Sequence, residues 1–300
     1  MIHAAGGGSK SGTQDVRRRR FDMNTTTLPR SRAASPWRSR LLRMILIAVA
    51  VYGGVLLLLY WKQELLLFAP TRLPAGHQFT VAGVVERKVE VDGATLSALH
   101  FRQPDAKGVV FFLHGNGGSL QEWLTSTDFY RRTGFDLFII DYRGYGKSTG
   151  RIESEAQLHA DVRAAWRAVA PEYAGRKIVL YGRSLGTGLA TNLATEVSAD
   201  LLVLVSPYSS LRDAARDHYP WVPAAVLRYP MRTDQWLPKV KMPVLIMHGD
   251  RDTVIAIDHA ERLQTLKPTA ELVRLHGVGH NDVHLSTEYL DKLAERYGRL

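Results

Sequence analysis

Lys177-Ile178-Val179-Leu180-Tyr181-Gly182-Arg183-Ser184-Leu185-Gly186-Thr187-Gly188 is the stretch whose reading decides the fold. The apolar run Ile178 to Tyr181, with a β-branched pair, reads as a buried strand. Leu185 to Ala194, rich in small residues, reads as a helix packed closely on a sheet. Between them Gly182-x-Ser184-x-Gly186 has the G-x-S-x-G pattern of a nucleophile elbow, a sharp strand-to-helix turn that holds a serine upright. Flanking glycines keep Cβ atoms out of the bend. The same turn puts the Leu185 N–H at a helix N-terminus, where it can face a developing oxyanion. A serine in an ordinary Gly-rich βα turn is the plain alternative. The strand before and the helix after favour the elbow, with Ser184 as a catalytic serine.

Outward from that stretch, strand and helix patterns alternate. Val84 to Arg102 forms two alternating runs around Asp92-Gly93, the mark of a β-hairpin. Val109 to Leu113 is a buried strand ending in His114-Gly115-Asn116-Gly117-Gly118, and Phe135 to Ile140 another, ending in Asp141-Tyr142-Arg143-Gly144-Tyr145-Gly146. Ser154 to Ala170 is a helix with a capping box (Ser154, Gln157) and apolar residues at 158, 162, 165, 166 and 169. After the elbow come strands Leu201 to Val205, Val244 to Met247 and Glu271 to Leu275, with helices near Ile257 to Leu266 and from about Ser286. Residues 207–240 interrupt the rhythm with five prolines and many aromatics, as a short cap insertion would. The pattern predicts an α/β fold: a mostly parallel sheet with helices on both faces.

Three hundred residues suffice for a sizeable core. The net charge of +10 resembles a nucleic-acid signal until it is located. Residues 1–43 hold ten Lys/Arg against two Asp, whereas residues 44–300 hold 29 basic and 27 acidic groups. A near-neutral body behind a basic leader speaks against nucleic acid and for a membrane-topology signal. The absence of cysteine excludes disulfides, thiolate metal sites and a thiol nucleophile.

Residues 1–40, with Arg17 to Arg20 in a row, read as a disordered basic cytoplasmic tail. Met23 is an alternative start, and a mitochondrial presequence an alternative use of an Arg- and Ser-rich leader. Met44 to Trp61 is 18 residues without a charge, long enough at ~1.5 Å per residue to approach a ~30 Å hydrocarbon core. Residues 41–61 are therefore expected to be a transmembrane signal-anchor helix, with Trp37 in one aromatic belt and Tyr60 and Trp61 in the other. A cleaved signal peptide lacks an acceptable cleavage site after Trp61. Five arginines from Arg30 to Arg43 precede the span, against Lys62 and Arg72 beyond it. That bias puts the N-terminus in the cytoplasm and the remainder outside it, on the periplasmic side if the source is bacterial. Residues 62–83 read as a connector with an amphipathic piece at Leu65 to Phe68, and residues 84–300 as the catalytic domain.

In such a sheet, functional loops gather at the carboxyl ends of the strands. One carries His248-Gly249-Asp250-Arg251-Asp252 and another His276-Gly277-Val278-Gly279-His280-Asn281-Asp282. A serine hydroxyl needs an imidazole to take its proton and a carboxylate to fix the tautomer, and the order Ser, Asp, His supplies both. Together, His114-Gly115-Asn116, DYRGYGKSTG at 141–150, GRSLG at 182–186, HGDRDTVI at 248–255 and GVGHND at 277–282 resemble the α/β-hydrolase superfamily over residues 72 to 300. They look most like its membrane-anchored serine hydrolases, including proteins labelled serine aminopeptidases. The resemblance implies Ser184 as nucleophile, Asp252 as acid and His280 as base, with the N–H groups of Asn116 and Leu185 as oxyanion hole. Asp250 and His276 lie nearer their strands and are expected to support turns. His114 and His248, before glycines at strand ends, are expected to be structural, as is DYRGYG, with Arg143 bracing nearby loops.

The rivals are few. His276, His280 and His284 would share a face on a helix and hold a metal, but Gly277 and Gly279 oppose that helix. A dehalogenase or epoxide hydrolase would need a carboxylate at position 184. A catalytically silent binding protein would be expected to have lost part of the triad. The apolar 207–240 segment and the anchor favour a lipid or other acyl ester or thioester, with a peptide as the alternative. Tyr208, Leu227 and Trp236 are the expected pocket residues. No cofactor and no metal are expected; the partners are the small-molecule or lipid substrate and the bilayer, not nucleic acid.

Overall fold

A computed structural model of the chain describes residues 36–300. The arginine run Arg17 to Arg20, the alternative start at Met23 and the rest of the expected tail up to residue 35 lie outside the described residues. The elements in order are α1 (Pro36–Lys62), α2 (Glu64–Leu67), β1 (Ala69–Pro70), β2 (Val84–Val91), β3 (Ala94–Phe101), β4 (Gly108–Leu113) and β5 (Gly117–Gly118). Then follow α3 (Leu120–Trp123), α4 (Asp128–Thr133), β6 (Phe135–Ile140), α5 (Glu155–Val169), β7 (Lys177–Arg183), α6 (Leu185–Ala194) and β8 (Leu201–Val205). The chain closes with α7 (Leu211–His218), α8 (Thr233–Trp236), β9 (Val244–Gly249), α9 (Asp258–Leu266), β10 (Glu271–Leu275) and α10 (Thr287–Gly298).

The chain divides into two units after Val49, the second being Ala50–Leu300. The described part of the first is the N-terminal half of α1. Helix α1 starts at Pro36, so residues 36–40, read from sequence as tail, are its first turn. Residues Trp37–Lys62 make a helix long and apolar enough to cross a membrane, with none of its apolar window buried.

In the second unit, eight strands form one sheet in the order β10-β9-β8-β7-β4-β6-β3-β2. Only the β2–β3 and β3–β6 pairings are antiparallel; the rest are parallel. The hairpin turns at Asp92-Gly93, where Gly93 has a φ of +69°. Along β4, Val109, Phe111 and Leu113 belong to one core and Val110 and Phe112 to the other, as a period of two requires. Helices α5, α6 and α9 cover the first core, and α3 and α10 the second. Helix α5 buries Leu158, Val162, Ala165, Trp166 and Val169. Its Ser154 side chain accepts from the Gln157 N–H at 3.1 Å, and the Gln157 side chain reaches back to the Glu153 N–H at 2.9 Å.

Residues 62–83 hold more structure than a connector. Strand β1 pairs in parallel with β5, so Ala69 and Pro70 lie beside Gly117 and Gly118. Gln63, 5% exposed, accepts from the Arg228 N–H at 2.8 Å and donates to the Val226 carbonyl at 3.2 Å. Glu64 accepts from Arg228 at 2.7 Å and from the Tyr229 hydroxyl at 2.9 Å. The foot of α1 is thereby laced to the 207–240 segment.

Candidate active site

Ser184 sits between β7 and α6 with φ 50° and ψ −118°. That φ is costly for a residue with a Cβ, of order 1–3 kcal/mol, and is held by the surroundings. The Ser184 N–H donates to the Val205 carbonyl at 2.9 Å, while its own carbonyl accepts from the Thr187 hydroxyl at 2.6 Å. A Cβ at Gly186 would lie 2.0 Å from the Leu113 carbonyl oxygen, and one at Gly182 would lie 2.5 Å from that of Gly186. The two glycines are what let the elbow close against β4.

His280 reaches Ser184 from the loop after β10. Its Nε2 is 3.1 Å from the Ser184 hydroxyl and its Nδ1 is 2.7 Å from Asp252 Oδ2. An ionised carboxylate can only accept, so Nδ1 carries the proton and Nε2 is free to accept the serine hydroxyl. The Asp252 side chain is fully buried. Its Oδ1 accepts from the N–H groups of Val254 at 2.9 Å and Ile255 at 2.8 Å. His248 Nε2 lies 3.3 Å from Oδ2 and also donates to the Ile255 carbonyl at 2.8 Å. Burial pushes the Asp252 carboxyl up; hydrogen bonds from His248, His280 and the Ile255 N–H outweigh it and hold the group well below the usual carboxylate range.

The loop after β4 supplies the other wall. A Cβ on Gly115 would come 2.9 Å from the Trp123 ring and 3.5 Å from Ser184 Cβ, which places this loop against the serine. His114 Nδ1 donates to the Gly115 carbonyl at 2.7 Å. That carbonyl and the Asn116 N–H belong to one trans peptide and point opposite ways, so His114 sets the direction of the Asn116 N–H. The Asn116 carbonyl is itself fixed, by the Ala69 N–H at 2.9 Å and the Tyr145 hydroxyl at 2.6 Å. Leu185 is the first residue of α6, and its N–H has no intrahelical acceptor.

The neighbouring candidates lie elsewhere. Asp250 accepts from the Gly277 N–H at 2.7 Å and from His276 at 3.3 Å, on the exposed outer side of the turn. The Gly277 N–H, with the His276 side chain, holds the Asp250 carboxyl below its ordinary value. Residues 276–282 form a loop, so His276, His280 and His284 share no helix face. Among the described residues no group of three His, Cys, Asp or Glu is placed to hold a metal ion. A second Ser–His–Asp set exists: Ser209 Oγ is 2.9 Å from His259 Nδ1, whose Nε2 is 2.9 Å from Asp217. Ser209 is fully buried and its backbone N–H points at the same Nδ1, at 3.2 Å, so this set fastens residues 207–218 to α9.

The expected pocket residues separate. Tyr208 is completely buried; its hydroxyl donates to the Leu185 carbonyl at 2.9 Å, and it packs beneath α6 with no face for a ligand. Trp236 packs edge-on against His159, with ring centroids 5.1 Å apart. Leu227 is half-buried. Tyr229 and Met231 are core residues, while Tyr219 and Trp221 stand about half exposed. Sequence reasoning missed Arg183, whose guanidinium donates to the His280 carbonyl, and the part played by Tyr145. His248 carried one signal, its i,i+4 spacing from Asp252.

A mostly parallel sheet covered on both faces, with a serine elbow whose hydroxyl meets a His–Asp pair from later loops, defines a class. The chain belongs to the α/β-hydrolase superfamily and is a hydrolase by that membership. The family model described as "Serine aminopeptidase, S33" matches residues 104–237, which include Ser184 but end before Asp252 and His280. An uncharacterized protein of Mycobacterium tuberculosis is 32% identical over 264 residues, covering 83% of this chain and 91% of its own length. Alpha/beta hydrolase domain-containing protein 17B of Homo sapiens is 33% identical over 199 residues, 64% of this chain and 67% of its own. An esterase of Pyrococcus furiosus shares the fold with a TM-score of 0.60 at 18% identity, over 78% of this chain and 97% of its own.

Proposed function

We propose that the protein is a membrane-anchored serine hydrolase that cleaves an ester or thioester bond of a lipid or other acyl substrate. The observation that carries this reading is His280 standing between Ser184 Oγ at 3.1 Å and Asp252 at 2.7 Å. As Ser184 Oγ attacks the acyl carbonyl carbon, His280 Nε2 takes its proton. Asp252 keeps the ring in the required tautomer and stabilises the imidazolium. The carbonyl oxygen becomes an oxyanion that accepts from the Asn116 and Leu185 N–H groups, each such donor being worth roughly 10²–10³ in rate. His280 then returns the proton to the departing oxygen or sulfur, which leaves an acyl-Ser184. Water, deprotonated by the same ring, releases the acid.

Helix α1 anchors the enzyme, with the N-terminus in the cytoplasm and the hydrolase domain outside, by the arginine bias before the span. Alkaline phosphatase fused after Leu300 should be active in a bacterial host. Activity only from a cytoplasmic reporter would reverse the topology. For the reaction, a fluorophosphonate probe should label the wild-type protein and not Ser184→Ala. Failure to label a folded protein would point to a silent binding protein.

The family model's description favours a second reading, a serine aminopeptidase. Such an enzyme needs a free carboxylate to hold the substrate's amino terminus. Glu122 is engaged by Ser119 at 2.8 and 2.5 Å, and Asp250 by Gly277 and His276. Turnover of aminoacyl-4-nitroanilides above that of 4-nitrophenyl acyl esters would select the peptidase.

A further inference from the structure

A groove of about 500 Å³ opens at the foot of α1; Ser184, Asp252 and His280 are not among its lining residues, and its charge is unbalanced. Five basic side chains line it, Lys62, Arg72, Arg143, Arg151 and Arg228, against the carboxylates of Glu64 and Glu153. Three of the five are neutralised. Arg143 is held by Asp161 at 2.6 and 2.8 Å, Arg151 by Glu153 at 2.7 Å and Arg228 by Glu64 at 2.7 Å. Lys62 and Arg72 are exposed and have no ion-pair partner among the described residues. Two uncompensated cations therefore face one concavity, whose other wall is apolar: Trp61, Leu65, Phe68 and Ile152.

Its depth relative to a bilayer follows from the helix. At ~1.5 Å per residue the 27 residues of α1 span about 40 Å, longer than a ~30 Å hydrocarbon core, so its last turn emerges among headgroups. Trp61 and Lys62 form that last turn and also line the groove. The Tyr52 hydroxyl donates to the Trp221 carbonyl at 2.7 Å, so residue 221 lies alongside α1 about three turns before its end.

We propose that this groove holds the phosphate of an anionic phospholipid headgroup in the leaflet where α1 emerges. Lys62 and Arg72 neutralise the phosphate, and the apolar wall takes the start of the acyl chains. The inference rests on α1 being a membrane span; it does not require the triad to be active.

Native mass spectrometry of the full-length protein, released from detergent with equimolar dioleoyl phosphatidylglycerol and dioleoyl phosphatidylcholine, tests it. The wild type should retain the phosphatidylglycerol preferentially. Lys62→Ala and Arg72→Ala should each reduce that retention roughly fivefold, the worth of one basic residue near an anionic surface. Arg72→Lys should keep most of it, and Arg132→Ala, which lines a separate cleft between α4 and α10, all of it. Equal retention of both lipids, or indifference to the Lys62 and Arg72 substitutions, would overturn the proposal. So would displacement of phosphatidylglycerol by millimolar inorganic phosphate, which would mark a site for the free anion. Turnover of an acyl ester by the wild type is read separately, so an inactive protein that still retains phosphatidylglycerol would count against the proposed reaction and not against this groove.

Discussion

The guanidinium of Arg183 donates a hydrogen bond to the backbone carbonyl of His280, so the residue before Ser184 holds the loop that carries His280. Only the alignment of the Ser184–His280 hydrogen bond depends on this tie, not substrate contact. Arg183→Leu is expected to lower kcat about tenfold with KM little changed, because small losses of alignment are expensive in rate. Steady-state kinetics check it; a rise in KM alone would show that Arg183 contacts substrate instead.

Residues in the hydrogen-bonded line should separate sharply from their neighbours. Ser184→Ala and His280→Ala should each remove on the order of 10³-fold or more of turnover, and Asp252→Asn roughly 10²–10⁴. Asp250→Asn and His276→Ala, which brace the turn, should cost about tenfold or less. Kinetics on folded variants decide the matter, and an inactive Asp250→Asn beside an active Asp252→Asn would reassign the acid.

A buried relay at the antiparallel end of the sheet should make stability fall in mild acid. Arg87 donates to His100 Nδ1 at 3.2 Å, His100 Nε2 lies 2.7 Å from the Tyr173 hydroxyl, and Tyr173 donates to Asp136 at 2.6 Å. Burial, and then the charge of Arg87, hold the His100 imidazole down at about 4. In the unfolded chain it titrates near 6.5, so between those values unfolding takes up a proton. The contribution of His100 is therefore complete above pH 6.5 and is lost as pH falls towards 4. His100→Gln should flatten the decline in Tm over that interval by roughly 5 °C. Parallel thermal melts of the two proteins at pH 7, 5.5 and 4.5 test this, and identical slopes would refute it.

The exposed aromatics of the 207–240 segment should matter only when the substrate is in a membrane. Tyr219→Ser and Trp221→Ser are expected to reduce hydrolysis of a long-chain ester presented in vesicles by about tenfold, with acetyl ester turnover unchanged. Such rings contribute by sitting at the interface rather than by touching the reacting carbonyl. Equal losses on both substrates would assign them to the fold.

The parts of this fold that were legible are those with a period. The unbroken apolar run gave β4 as a strand buried on both faces, the 3.6-residue spacing gave the buried face of α5, and alternation with the turn chemistry of Asp92-Gly93 gave the hairpin. The elbow was readable because its steric demand falls on Gly182 and Gly186, whose absent Cβ atoms are visible in the sequence. Tyr208 was misread because an aromatic in a proline-rich insertion looks the same whether it faces a ligand or the core. Arg183, Tyr145 and Gln63 act on backbone groups 97, 29 and 163 residues away, and a carbonyl leaves no mark on a sequence. Strand β1 is two residues long, too short to have a period at all.

That short strand has a practical consequence. Ala69 holds the carbonyl of Asn116, and Gln63 and Glu64 hold Arg228 and Tyr229, so the stretch between α1 and β2 is tied both to the loop beside Ser184 and to the 207–240 segment. A soluble version cut at the apparent domain start near Val84 would leave behind a donor to the loop beside Ser184. A version without α1 keeps these ties only when the cut falls ahead of Gln63, inside the helix itself.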